Sequence, residues 1–444
     1  MGSRWVRLAA GLCLILLAFA AFELPGQSLA SRDRDESMAV SMIVPEGEAR
    51  NYWPRWRGPS GQGVVEGTGY PDTWSSDANV LWKVDVPGRG HSSPIIWGDR
   101  LFLTTADLEG RERSVLCFRR SDGHLLWQTP VPGAPSETLH EKNSFASSTP
   151  VTDGTRVYAY FGNAGLVAVD FDGKIIWHIS FGPVRLEHGP GGSPLLYRDR
   201  IILYQEQITM SRTNPPEAGF IVAVAKDTGK ILWRETRKTQ MGYGTPIAIQ
   251  AGNRVEIIVS SAPRIEAYDP DTGSIFWYCT GNTPWVVPTP VVGHGMIFAS
   301  SGRAGPTLAI RPGGEGDVTD SRVAWRATKG SPLVPSALLL GDYIYVVNDM
   351  TSIASAYNAI TGDLVGQIRL GEARSEGFTA SPIGVDNKIY FTNDEGETFV
   401  LQPAPDFKLL HVNQLGAQIL ASPALVDGKW YFRSRNQLIC IARN

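Results

Sequence analysis

Histidine is the side chain best suited to moving protons near neutral pH. Three of the seven histidines, His91, His140 and His188, fall in short polar stretches that each lead into a Ser/Thr-Pro step. Those stretches read Arg89-Gly90-His91, His140-Glu141-Lys142-Asn143 and Glu187-His188-Gly189-Pro190, and equivalent ones hold Met241-Gly242-Tyr243, Trp285, Ser331-Pro332, Glu376-Gly377-Phe378 and Gln418. If the fold gathers them, Arg89, His91, Lys142, Asn143, His188, Tyr243, Trp285 and Phe378 form a concave surface of cationic, polar and aromatic groups, the usual character of a ligand pocket. Loop packing and capping would explain the same residues without a ligand. Other chemistry is poorly supplied. Zinc spacings such as Cys-x-x-Cys or His-Glu-x-x-His do not occur, nor does a Gly-x-Ser-x-Gly nucleophile elbow or a Cys-x-x-Cys-His haem attachment. The Gly/Pro-rich run 182–192 lacks the strand-turn-helix context of a phosphate cradle. His294 lies between two glycines, and Asp170, Asp269, Asp342, Asp386 and Asp427 recur at turns, so turn chemistry accounts for them. No catalytic residue and no metal ligand is assigned.

The elements that would position these residues are legible as a repeat. Ser93-Pro94, Thr149-Pro150, Ser193-Pro194, Thr245-Pro246, Thr289-Pro290, Ser381-Pro382 and Ser422-Pro423, with the variant Val334-Pro335-Ser336, mark eight unit starts. They lie about 47 residues apart on average, a period that suits a four-stranded propeller blade. Within a unit, runs of β-branched and aromatic residues alternate with Asp-Gly or Thr-Gly turns, as in Thr149 to Trp177, the pattern of an antiparallel meander. A small residue, a turn and a tryptophan then recur, giving Trp82, Trp127, Trp177, Trp233, Trp277 and Trp325, with degenerate copies at Gly366 and His411. Such a tryptophan can cover the seam to the next blade. The tryptophan strands start one before the first Ser-Pro and stop one short after the last. An N-terminal strand at 79–84 should therefore complete the C-terminal blade and leave no long edge. The predicted fold is all-β, an eight-bladed β-propeller of four-stranded antiparallel blades over 79–444. In it, all the polar stretches named above converge on one mouth of the channel.

The copies Val222-Ala223-Val224…Asp227-Thr228-Gly229-Lys230-Ile231-Leu232-Trp233 and Glu266-Ala267-Tyr268-Asp269…Thr272-Gly273-Ser274-Ile275-Phe276-Trp277 resemble the pyrroloquinoline-quinone-type propeller repeat. The resemblance covers about residues 79–444. In size and blade count the chain is similar to the outer-membrane assembly factor B (BamB-like) group. Trp53-Pro54-Arg55-Trp56-Arg57-Gly58-Pro59 further resembles a secreted planctomycete-type subgroup that has no settled biochemical role. The resemblance implies a non-enzymatic scaffold that binds a protein or peptide partner in the cell envelope, with no cofactor. The alternative it carries is a quinoprotein dehydrogenase oxidising an alcohol or sugar. In that reading the quinone stacks on an aromatic ring, for which Trp285 is the available platform, and Ca²⁺ bridges it to carboxylate and amide oxygens. The adjacent cysteine pair common in those enzymes is missing, and none of their catalytic residues can be matched.

Composition narrows the setting. The 444 residues carry a net charge of −3 and no Lys/Arg run, so nucleic acid is not an expected partner. Arg4 and Arg7 precede the apolar run Leu8–Phe22, and Ser28-Leu29-Ala30 has cleavage-site character, so a signal peptide over 1–30 and an exported, periplasmic or extracellular protein are expected. An uncleaved membrane anchor is the rival reading; otherwise membrane contact is indirect and the protein monomeric. Cys13 sits mid-run in the wrong context for a lipoprotein. Cys117, Cys279 and Cys440 remain, an odd number that suggests buried small hydrophobes rather than a disulfide framework. Residues 31–50 read as a flexible linker and 51–78 as an extended segment packed on the ring, with Trp53, Trp56 and Trp74 as staples or as a surface aromatic patch. Long loops at 129–148, 205–219 and 301–322 are where blade-specific function could reside.

Overall fold

The computed structural model describes residues 39–207, 219–302, 304–373 and 377–443; the expected signal peptide lies outside them. The strands form eight sheets, each built on a four-stranded antiparallel blade, and the fold is the predicted eight-bladed propeller. Blade 1 is Ile95–Trp97, Arg100–Ala106, Arg113–Arg119 and Leu125–Pro130, innermost strand first. Blades 2 to 7 begin at Val151, Leu195, Ile247, Val291, Leu338 and Ile383. Blade 8 comprises Ala424–Val426, Lys429–Arg433 and Gln437–Ile441, with Val80–Asp85 as its outermost strand, Val80 opposite Ile441 and Asp85 opposite Gln437. The ring is therefore closed by hydrogen bonds between the two ends of the chain.

Two recurrent contacts explain the repeated residues. At seven of the eight innermost strands the hydroxyl of the Ser/Thr beside the proline accepts the backbone N–H of the corresponding residue one blade earlier. Ser93 donates to Thr149, Thr149 to Ser193, Ser193 to Thr245, Thr245 to Thr289, Thr289 to Ser336, Ser336 to Ser381 and Ser381 to Ser422, all at 2.9–3.1 Å. A short hydroxyl side chain thus satisfies a backbone donor that no strand neighbour can reach. At the periphery, the tryptophan indole donates to a carbonyl in the turn of the following blade: Trp127 to Phe171 and Trp177 to Lys226 at 2.8 Å, Trp233 to Pro270 at 3.0 Å, Trp325 to Ala359 at 2.9 Å. The turn glycine of that blade lies on the ring face. A Cβ at Gly123, Gly173, Gly229, Gly273 or Gly362 would come within 2.6–2.9 Å of the tryptophan before it, and all five hold φ between +73° and +87°. Glycine is needed there twice over, for conformation and for space. Cys117, Ala168, Ala223, Ala267, Ala309 and Cys440 sit directly across the strand pair from Trp127, Trp177, Trp233, Trp277, Trp325 and Trp82, so the register demands a small residue. Cys117, Cys279 and Cys440 are free and buried, and burial pushes the Cys117 thiol up to about 11.

The remainder departs from the repeat. Val40–Met42, inside the stretch expected to be a flexible linker, is a strand antiparallel to Ile247–Ala251 of blade 4. Gly316–Asp317 pairs in parallel with the outermost strand of that blade. Residues 53–65 then cross the ring. Trp53 bridges Ile96 of blade 1, Thr152 of blade 2 donates to Pro54 O (2.9 Å), Val292 of blade 5 donates to Gln62 Oε1 (2.6 Å), and Val65 donates to Gly384 O of blade 7 (2.9 Å). All four ring positions lie at the end of the inner strand away from the Ser/Thr-Pro loops, so this arm closes the channel opposite the mouth, with Trp56 lining the interior. Residues 70–74 fill the blade 7–8 seam, where His411 replaces the repeat tryptophan. Trp74 packs 5.3 Å from Trp430, His411 Nε2 lies 2.7 Å from Asp72 O, and Trp430 donates to Pro71 O at 3.1 Å.

Candidate binding cleft at the channel mouth

Because each loop before a Ser/Thr-Pro step ends at the same rim, the fold assembles residues from the entry loops of all eight blades into one cleft of about 420 Å³. His91, Lys142, Asn143, His188, Tyr243 and Trp285 line it together, joined by His140, Glu187, Leu333, Val334, Thr379 and Leu420. Arg89 and Phe378 are not brought in. Arg89 lines a separate groove with Asp107, Glu109 and Arg435, and Phe378 is buried against Phe399, so the neighbouring Thr379 faces the cleft instead.

Aromatic faces dominate one wall. The rings of His140 and His188 stack with centroids 5.2 Å apart, and His188 lies 5.9 Å from Tyr243 and 6.5 Å from Trp285. Trp285 holds φ +61°, a left-handed conformation costly for a bulky residue, typically by about 1–3 kcal/mol. Flanking bonds impose it: Tyr243 donates to Val286 O and Val286 donates to Met241 O, both at 2.8 Å. The buried Trp285 indole N–H has no acceptor among the described residues. Beneath this wall lies a fully buried ion network. Arg237 reaches Glu206 Oε1 at 3.0 Å and Glu266 Oε2 at 2.9 Å, and also donates to Thr239 Oγ1 (2.6 Å) and Ser261 Oγ (2.9 Å). Ser261 abuts Gly242, where an added Cβ would collide with its hydroxyl, so the network sets the path of the 240–243 loop.

The polar groups are largely spent within the protein. Asn143 donates to His188 O at 2.7 Å and Pro190 O at 3.2 Å, while its Oδ1 accepts from Ser144 N–H and Ser147 Oγ, which clasps two loops together. Lys142 Nζ lies 2.6 Å from Asp394 Oδ2, which also accepts Thr379 Oγ1 at 3.1 Å. His91 is pushed down to about 3 by burial and by the nearby guanidiniums of Arg433, Arg89 and Arg435, so it is neutral at ordinary pH. Behind Leu333, whose N–H it accepts at 2.7 Å, the buried Asp349 is pushed up to about 6 by desolvation. Its other oxygen has no partner among the described residues.

A carboxyl raised from 3.8 to about 6 binds its proton more tightly folded than unfolded, so it costs stability once pH passes through the folded value. Asp349→Asn, which keeps the Leu333 acceptor, is therefore expected to stabilise the protein above pH 6 by up to about 3 kcal/mol. The gain should vanish towards pH 4. Urea unfolding of both proteins at pH 4, 5.5 and 7.5 measures it, and a gain unchanged at pH 4 would refute the assignment.

Neither Asp349 nor Asp394 stood out in the sequence, and Arg237, Glu206 and Glu266 did not either. They lie at or near strand ends in blades 3, 4, 6 and 7, where their residue types carry no local signal.

With the ring, its inter-blade contacts and the mouth defined, sequence comparison places the chain. The model of the outer membrane protein assembly factor BamB family matches residues 64–185, 111–215 and 217–444. The chain belongs to the BamB family. No curated protein sequence matches it. Among solved structures, BamB from Moraxella catarrhalis superposes with a TM-score of 0.58 at 14% identity, covering 82% of this chain and 97% of that one. A europium-containing methanol dehydrogenase gives 0.62 at 13% identity over 86% and 89%. The quinohemoprotein alcohol dehydrogenase of Comamonas testosteroni gives 0.60 at 12% over 89% and 81%. At these identities the likeness is one of fold. Members of the fold thus include both an assembly factor and dehydrogenases, and the cleft must carry the functional argument. No helix among the described residues is long and apolar enough to cross a membrane.

Proposed function

We propose that this BamB-family chain is an exported, non-enzymatic binding propeller of the cell envelope. Its channel mouth receives a protein or peptide partner. One observation carries the reading: the groups that could move protons or hold a cation are engaged with one another, whereas the aromatic faces on the cleft wall are left for a ligand. Lys142 is tied to Asp394, Asn143 is consumed in a loop clasp, and His91 is held neutral. A rigid cleft closed below by the N-terminal arm suits a side chain or loop inserted from outside, with aromatic surface supplying most of the contact energy. The protein is proposed to act as a monomer and without nucleic acid.

The dehydrogenase reading is the competitor, and the donor set suits it poorly. Ca²⁺ takes six to eight oxygens, yet among the described residues the cleft lining holds one carboxylate, Glu187, and the nearby Asp394 is taken by the ammonium group of Lys142. Titrating the protein with pyrroloquinoline quinone and Ca²⁺ tests this: tight, Ca²⁺-dependent, one-to-one binding would overturn the scaffold reading. The positive test is a photo-crosslinking residue at position 140, compared with one at exposed Leu410 on the blade periphery, in cells that export the protein. A discrete adduct is expected at the mouth alone and is expected to disappear in Trp285→Gly. Glycine is the right replacement because it accepts φ +61° and keeps the loop while deleting the ring. Adducts of equal yield at both positions would refute a mouth-directed partner.

A further inference from the structure

The N-terminal arm does more than close the channel. Between its residues 43–55 and the inner-strand hairpins of blades 1 to 4 it encloses a cavity of about 490 Å³, on the face opposite the mouth. Val44, Pro54, Trp97, Leu196, Tyr197 and Val255 make its walls largely apolar. Three cations, Arg55, Arg198 and Lys226, line it as well. Lys226 is neutralised, its Nζ 3.0 Å from Asp153 Oδ2. Arg55 is not: its guanidinium donates to the carbonyls of Gly58 (3.3 Å), Ile43 (2.8 Å) and Pro59 (2.8 Å), and no carboxylate among the described residues pairs with it. Burial without a counter-charge pulls it down to about 10. Arg198 lies 4.9 Å from the centre of the Tyr197 ring and likewise has no carboxylate partner among the described residues. Tyr197 itself is buried, and its hydroxyl has no hydrogen-bond partner among them. The acids on the lining are Asp153, already paired, and the exposed Glu46.

A cavity of this size falls in the range of small-molecule sites. Arg55, half-buried with carbonyls but no carboxylate among the described residues for partners, and the exposed Arg198 leave positive charge on its lining without an acid to answer it. We propose that this cavity is a second binding site, for a small organic acid with an apolar body. The chain or ring of the ligand packs on Trp97, Leu196 and Val255, and its carboxylate lies between Arg55 and Arg198. Since the arm forms one wall, the ligand also holds the arm to the ring.

The probe is dodecanoate below its micelle concentration, displacing 1-anilinonaphthalene-8-sulfonate followed by fluorescence. Saturable displacement is expected, with dodecanol at least about tenfold weaker, since the neutral head group forgoes the charge-assisted bonds. Arg198→Asn removes the charge at a position of φ +52° that asparagine tolerates. It is expected to weaken dodecanoate several-fold while leaving the thermal midpoint within a few degrees, and Trp285→Gly at the distant mouth is expected to have no effect. Bound dodecanoate should also slow proteolysis at exposed Arg50 in the arm. Equal displacement by dodecanol, or loss of binding in Trp285→Gly but not in Arg198→Asn, would overturn the proposal.

Discussion

Trp233→Ala is expected to destabilise the ring by about 3–5 kcal/mol, the range for deleting a large buried aromatic side chain. The indole fills the blade 3–4 seam, donates to Pro270 O at 3.0 Å and supports Gly273, whose absent Cβ would meet the ring at 2.6 Å. Gly273→Ala approaches the same contact from the other side. It should cost about 2–4 kcal/mol, the sum of a left-handed alanine and an overpacked seam. Gly341→Ala is the control, for that residue has φ +58° with no atom within 4 Å of the added carbon. It should lose only the conformational part, about 1–2 kcal/mol. The two seam changes share one contact, so the double variant Trp233→Ala/Gly273→Ala should lose less than their sum. Urea unfolding of the four proteins measures this. Strict additivity would mean that the glycine answers to the turn alone.

The second large effect belongs to the network beneath the mouth. Arg237→Met is expected to cost about 3–5 kcal/mol, because it leaves the buried Glu206 without its cation, while Glu266 keeps Arg264. Burial by itself would lower the Arg237 guanidinium, but Glu206, the Tyr268 phenol and Glu266 outweigh it and hold it above its ordinary range. Glu206 would then remain fully buried without a cation. Neutralising it as well, in Arg237→Met/Glu206→Gln, is expected to recover a substantial part of the loss. Denaturant midpoints decide it, and a double variant weaker than the single would show that Glu206 is satisfied without Arg237. The network also sets the 240–243 loop, so Trp285 fluorescence should report a disturbed mouth in the single variant.

Much of the ring was legible before any coordinates. Ser93-Pro94 and its seven counterparts, the Thr-Gly turns and the tryptophans recur because every blade must solve the same three problems. It must satisfy a backbone donor at the axis, reverse the chain with φ > 0, and cover a seam. Even the closure of blade 8 by a strand beginning near residue 80 followed from counting tryptophans. The cleft was legible in part. Six of eight residues placed at the mouth do line it, because position in the blade fixes which rim a loop occupies. Arg89 and Phe378 fell outside because the direction of a loop side chain depends on what its neighbours bury, and Phe378 finds Phe399.

Val40–Met42 shows the other limit. Its sequence, Val-Ser-Met, is too short to announce a strand, and it is one because the exposed edge of Ile247–Ala251 pairs with it. The arm across the channel, the Arg237 cluster and the Lys142–Asp394 pair are of the same kind. Their partners lie in other strands, mostly of other blades and about 29 to more than 300 residues away in the chain, and nothing in the local pattern of either partner records the other. Period, turn and seam are short-range demands repeated eight times, so the linear chain already states them. Charge pairing, plugging and the shape of the two cavities are long-range coincidences of surfaces, which come into being when the ring closes.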